Sequence, residues 1–141
     1  MMLKPLNSQI WYGWQVNMAT GERRGLKQIA NAAKWSMHGL QATFKHEASF
    51  RLEFYLAMIL IPCAIYLSQS AMQLLVLLAC VLFVLILEII NSAIEAVVDM
   101  VCGEKFHELA KRAKDMGSAA VFLGQILVLF TWSTIIYQNY G

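Results

Sequence analysis

The sequence predicts an all-α membrane protein: three transmembrane helices preceded by an amphipathic helix on the membrane surface. Three observations carry this. The 141 residues are 59% hydrophobic and only 14% charged, whereas soluble domains run near half apolar and a quarter charged. Three apolar segments each approach the roughly 20 residues that cross a bilayer core as a helix. The 11 Lys and Arg residues fall on one side of the resulting topology.

Residues 1–24 form an N-terminal extension broken by Pro5, Gly13 and Gly21, with Trp11, Tyr12 and Trp14 suited to a membrane interface. No signal-peptide apolar core is expected there. Residues 25–141 form one membrane domain. In residues 25–48, Leu26, Ile29, Ala30, Ala33, Met37, Leu40 and Phe44 recur at three- and four-residue steps, with Lys27, Lys34, His38 and Lys45 between them. That spacing predicts a helix lying on a membrane surface.

The spans follow at about 49–67, 71–98 and 119–137. Arg51 and Glu53 open the first span, where long side chains snorkel to the interface. Pro62 is a candidate kink within it. Ser68-Gln69-Ser70 is short enough to force an antiparallel hairpin, and a longer charged connection covers 99–118. Lys and Arg precede or begin the first span, or lie in the 99–118 connection; none falls at 68–72 or after the third span. The positive-inside rule then places the N-terminus and the 99–118 loop in the cytoplasm and the C-terminus on the opposite side. Cys63, Cys80 and Cys102 fit no metal or disulfide pattern and read as reduced packing residues. A net charge of +2 gives no basic field for nucleic acid.

The second span carries residues that a purely structural span would not. At 100° per residue, Asn91, Glu95 and Asp99 fall within about 60° of Glu88 around the helix. The opposite side keeps Ile89, Ile90, Ala93, Ile94 and Val97. A charge at the bilayer centre costs at least ~2.5–3.5 kcal/mol on insertion scales. Glu88 lies deepest in the apolar run and bears most of that cost. Asp99 reads equally well as a helix-end charge.

Carboxylates this close repel when all are ionised. A divalent cation relieves the repulsion, as does a carboxyl that exchanges protons. Glu88 is the candidate for general-base work. Glu95, nearer water, is the better ligand for Mg²⁺, particularly where substrate phosphates complete the shell. Glu47, at the entrance of the first span, reaches a similar depth and is positioned to share that metal. Its alternative is a solvated charge at a helix start.

Lys111, Arg112 and Lys114 suit phosphates, and equally the headgroups of anionic lipids. His107 and Glu108 lack the second histidine of a zinc motif. A P-loop and the protein-kinase signatures are both missing from the sequence.

EIINSAIEAVVD (88–99), HELAKRAKDMGSAAV (107–121) and Glu47-Ala48-Ser49-Phe50-Arg51-Leu52-Glu53 resemble the motifs of bacterial diacylglycerol kinases, a family of small membrane lipid kinases. The resemblance covers about residues 28–137. It implies a homotrimer in the bacterial inner membrane, with active sites shared between subunits. It also implies transfer of the ATP γ-phosphate, with Mg²⁺, to diacylglycerol to give phosphatidic acid.

Carried over by motif, Glu88 looks like the base on the lipid hydroxyl and Asn91 its orienting neighbour. Glu47 and Glu95 look like metal ligands and nucleotide contacts. Glu104, His107, Lys114 and Asp115 look like further nucleotide contacts. Ser36, Arg51, Glu53, Glu88 and Ser118 look like the lipid-binding set. Cys102–Lys105 holds one residue more than the family's usual spacing. Undecaprenol kinase, of the same family and fold, is the nearest rival reading. A non-catalytic proton-relay subunit, resting on Glu88 alone, is the rival from another class.

Overall fold

The computed structural model describes residues 26–103 and 105–141; the N-terminal extension and Glu104 lie outside the described residues. Four helices follow in order: α1 (Leu26–His46), α2 (Ala48–Leu67), α3 (Ala71–Cys102) and α4 (Glu108–Tyr140). They fall into two compact units, divided after His38.

In the first unit, α1 presents Ile29 and Met37 as exposed apolar side chains between exposed polar ones. That is the surface an interfacial helix offers to a bilayer.

The second unit begins with the last turns of α1. Helices α2, α3 and α4 are each long and apolar enough to cross a membrane. Most of their apolar surface faces outward: Leu52, Ile59, Ile65, Leu75, Leu129 and Phe130 are all exposed. A water-soluble protein does not leave apolar area of that extent uncovered. The expected all-α membrane architecture is what the chain adopts.

Small residues and a heptad-like seam bring the helices together. On α2 the buried positions are Phe50, Ala57 and Ala64, one every seven residues. On α3 they step from Leu77 through Val81 and Val84 to Glu88 and Asn91. On α4 they run from Gly117 through Val121 and Gly124 to Trp132 and Ile135. Alternating three- and four-residue steps keep one face toward its neighbour, as in other helix bundles. Ala57, Ala64, Leu77, Cys80, Val81, Trp132 and Ile135 form the core. Small residues at the contact let helix backbones approach closely, which favours van der Waals packing between helices in lipid.

Two elements exceed the predicted spans. Helix α3 continues to Cys102 and α4 already begins at Glu108, so most of the expected 99–118 loop is helical. Gly103 ends α3 at φ 56°, a positive value that glycine adopts freely, and its N–H donates to the Asp99 carbonyl at 2.9 Å. His107 then caps α4: its Nδ1 accepts from the Leu109 N–H at 3.2 Å. These end signals are single residues, whereas hydropathy reports only the apolar stretch. Helix α2 runs through Pro62 without interruption.

The cysteines differ from one another. All three are free thiols, but only Cys80 is buried in the core; Cys63 is exposed and Cys102 half-buried. Cys80 packs in the core, as expected.

Candidate active site

The corner between α1 and α2 positions Glu47. The last carbonyls of a helix lack intrahelical donors. Here the Arg51 guanidinium supplies them, donating through Nη1 to the Phe44 carbonyl at 3.1 Å and the Lys45 carbonyl at 3.2 Å. Phe44 also packs edge-on against Phe54, with ring centroids 5.4 Å apart. Between the two helices the chain spends one extended residue, Glu47, at φ −105° and ψ 114°. Arg51, expected to meet lipid, thus holds the turn that carries Glu47.

The acidic face lies on the packed side of α3. Glu88 is 5% exposed and Asn91 9%. Asn91 Nδ2 donates to Glu95 Oε1 at 2.9 Å. A carboxylate only accepts, so this contact fixes which end of the amide faces Glu95. Asn91 Oδ1 then points away; it is buried and has no hydrogen-bond partner among the described residues. Ser92, also buried, donates to the Glu88 backbone carbonyl at 2.8 Å. Opposite stands Gly117 of α4, where a Cβ would collide with the Asn91 amide oxygen.

Like charge concentrates at this end of the bundle. Glu47, Glu53 and Glu95 all act electrostatically on Glu88. Glu53 accepts from Gln125 Nε2 at 2.5 Å across the α2–α4 contact. Above that bond lies an apolar cavity of about 450 Å³, with Leu56, Leu60, Val84 and Trp132 among its walls. No three His, Cys, Asp or Glu side chains converge as a ready-made metal cage among the described residues. Glu47 and Glu95, the carboxylates that the sequence offers as donors, are both half-buried. All-oxygen donors of that kind fit Mg²⁺, which is commonly held by one or two carboxylates with water and substrate phosphates completing the shell.

A second, polar cavity of about 370 Å³ opens where α3 meets α4. Asp99, Cys102, Lys105, His107, Lys111 and Lys114 are among its lining residues. Lys114 Nζ pairs with Asp99 at 2.6 Å, and Lys111 pairs with Asp115. Lys114 stands ahead of the apolar stretch that opens near Ala119. The hydrogen bond to Asp99 holds its ammonium above the usual lysine range. Asp99, read as a helix-end charge, thus has a partner in the next helix.

The remaining candidates are placed more simply. Ser118 is exposed on α4. Ser36 belongs to the first unit and donates to the Ala32 carbonyl at 3.0 Å. Glu104 falls outside the described residues. Gly117, Ser92 and Gln125 were not singled out in the sequence. Gln125 had a visible signal as a lone amide inside an apolar run. Gly117 had none, because its importance depends on which residue of α3 it faces.

Three membrane-capable helices with a buried carboxylate on the packing seam and a lysine-rich cavity beside it describe a membrane phosphotransferase more readily than a passive span. The model of the prokaryotic diacylglycerol kinase family matches residues 34–136. The chain is 42% identical over 113 residues to a diacylglycerol kinase of Haemophilus influenzae, covering 80% of this chain and 95% of the relative. It is 42% identical over 117 residues to that of Escherichia coli, covering 83% and 95%. Against the Pseudomonas aeruginosa protein the figures are 46% over 112 residues, 79% and 90%. The chain belongs to the prokaryotic diacylglycerol kinase family, and is a bacterial membrane lipid kinase.

Proposed function

We propose that this enzyme transfers the γ-phosphate of Mg-ATP to the hydroxyl of diacylglycerol, giving phosphatidic acid and ADP. The observation that carries the reading is Glu88: a carboxylate almost fully buried on the α3 seam, with the Asn91–Glu95 hydrogen bond one turn away.

Helix length supports the location. With Ala71 at one membrane border, the roughly 20 residues of α3 that fill the hydrocarbon core end near Ile90. Glu88 then lies within a turn of the far border, and Glu95 and Asp99 project beyond it. A lipid hydroxyl and a water-borne nucleotide meet at that depth. The desolvation cost is also smaller there than at the bilayer centre.

In the proposed reaction Glu88 accepts the proton of the lipid hydroxyl. The hydroxyl oxygen bonds to the γ-phosphorus, the bond to the β-phosphate oxygen breaks, and ADP leaves. Glu47 and Glu95 would hold Mg²⁺, with Asn91 fixing the orientation of Glu95. Bound Mg²⁺ supplies charge neutralisation on the phosphates, the chief electrostatic demand of phosphoryl transfer. Lys114, Asp115 and His107 contact the nucleotide from the polar cavity side; Glu104, outside the described residues, is a further nucleotide contact. Arg51, Glu53, Ser118 and Ser36 serve the lipid. The active form is a homotrimer with shared sites, the cavity end and N-terminus facing the cytoplasm.

The test is phosphoryl transfer by purified protein in mixed micelles, with diacylglycerol and undecaprenol compared. Phosphatidic acid formed only when both Mg²⁺ and ATP are present is the expected result. Absence of phosphatidic acid sinks the reading, and preferred phosphorylation of undecaprenol reassigns the substrate to a polyprenol.

A further inference from the structure

Two glycines of α4 face α3 at close range, and they face different things. A Cβ on Gly124 would come within 2.8 Å of Leu87 Cδ1 and 3.3 Å of Val84 Cγ2, the ends of apolar side chains. A Cβ on Gly117 would run into the Asn91 amide oxygen, with the amide carbon only 3.2 Å away. The Asn91 amide has no free room: its side chain is buried, and its other end is tied to Glu95 at 2.9 Å. Its oxygen also has no hydrogen bond among the described residues to hold it. The amide is therefore kept in place from two sides, by the carboxylate it donates to and by the bare backbone of Gly117.

We propose that Gly117 is a positioning residue for the divalent-cation site: its missing side chain seats the Asn91 amide so that Nδ2 reaches Glu95 and fixes that carboxylate for metal. This rests on the reading of Glu95 as a ligand. Partners that orient a metal ligand through a hydrogen bond are typically worth about 10–100-fold in affinity. A methyl group on residue 117 pushes the amide out of its rotamer, breaks the 2.9 Å bond and frees the Glu95 carboxylate to rotate. A methyl group on residue 124 meets Leu87 and Val84, costing packing without touching the carboxylate.

The experiment is Mn²⁺ binding, read by electron paramagnetic resonance, in the full-length protein with a non-hydrolysable ATP analogue, alongside thermal stability. Gly117→Ala is expected to weaken Mn²⁺ binding by about tenfold, in the range for second-layer partners, and Gly124→Ala by less than about twofold whatever it does to stability. Asn91→Ala removes the obstacle, so Asn91→Ala/Gly117→Ala is expected to fold and to bind Mn²⁺ as Asn91→Ala does. Gly117→Ala binding as tightly as Gly124→Ala overturns the inference. So does a double variant that binds more weakly than Asn91→Ala or fails to fold, a comparison that decides even where Gly117→Ala alone does not fold. Glu95→Gln separates the two levels. Unchanged binding in that variant overturns the ligand reading and the inference with it. Lost binding there, with normal binding in Gly117→Ala, overturns the inference alone.

Discussion

At one end of the bundle, Gln73 and Asn139 exchange hydrogen bonds. Gln73 Nε2 donates to Asn139 Oδ1 at 2.9 Å, and Asn139 Nδ2 donates back to Gln73 Oε1 at 3.1 Å. Asn139 Nδ2 also reaches the Leu67 carbonyl at 3.0 Å, and the Gln69 N–H donates to Gln73 Oε1 at 2.8 Å. At the other end, Glu88, Asn91 and Glu95 share one hydrogen bond, and Asn91 Oδ1 has none among the described residues. Gln73 belongs to α3 and Asn139 to α4, whereas Glu88, Asn91 and Glu95 all sit on α3. Amides both donate and accept, so a few of them close on themselves and tie the hairpin α2–α3 to the end of α4. Carboxylates only accept, so a cluster of them cannot. The closed end stabilises; the acidic end needs donors or a cation that the packed helices do not provide.

Substitutions break or sharpen this contrast, and the largest effect is expected at the acidic end. Glu88→Gln keeps the shape and removes the proton acceptor. Turnover should fall by about 10²- to 10⁴-fold, the usual worth of general-base catalysis, while calorimetry shows nucleotide binding largely intact. Turnover near that of the unaltered enzyme would remove Glu88 as the base. Glu47→Gln is next: the Mg²⁺ concentration for half-maximal activity should rise more than about tenfold, by analogy with lost coordination partners. An unshifted Mg²⁺ titration would leave Glu47 as a solvated helix-start charge.

The amide end should respond in stability and not in chemistry. Asn139→Ala loses its bonds to Gln73 and Leu67, so it should destabilise by about 1–2 kcal/mol, given roughly 0.6 kcal/mol for an average polar contact in a membrane bundle and up to about 1.7. Denaturant unfolding in mixed micelles reads this, with the KM values unchanged. Gln73→Leu/Asn139→Leu should not recover the loss, because it also takes the acceptor from the Gln69 N–H and the donor from the Leu67 carbonyl. A drop in turnover at constant stability would show that the two ends are not separable.

The smallest effect is expected at the Lys114–Asp99 pair, whose side chains are 36% and 63% exposed. The Lys114 ammonium is held above the usual lysine range by its hydrogen bond to Asp99. A group raised in the folded state stabilises fully below its unfolded pKa and loses that contribution as pH rises through the folded value. The pair should therefore contribute evenly between about pH 6 and 9 and fade only in strong alkali. Comparing Asp99→Asn with the unaltered protein across that range should show parallel stability profiles; profiles that diverge near neutrality would contradict the pairing.

The contrast also marks what was legible in the sequence. Apolar runs near the bilayer thickness gave the three spans, and helical periodicity put Glu88, Asn91 and Glu95 on one stripe. Helix ends were misjudged where one residue decides them, Gly103 by its positive φ and His107 by its cap. The sequence shows Arg51 as a charge at an interface, but not the two carbonyls that it satisfies. The amide clasp and Gly117 were invisible for a common reason. Each depends on the register of α4 against α3, which no local pattern encodes.

The most direct measurement is Mn²⁺ affinity, in the presence of a non-hydrolysable ATP analogue, for Glu95→Gln beside Asn139→Ala. The account predicts that Glu95→Gln weakens binding by more than about tenfold while Asn139→Ala, though less stable, binds as the unaltered protein does. Equal affinities in all three would contradict the assignment of the acidic end as the cation site.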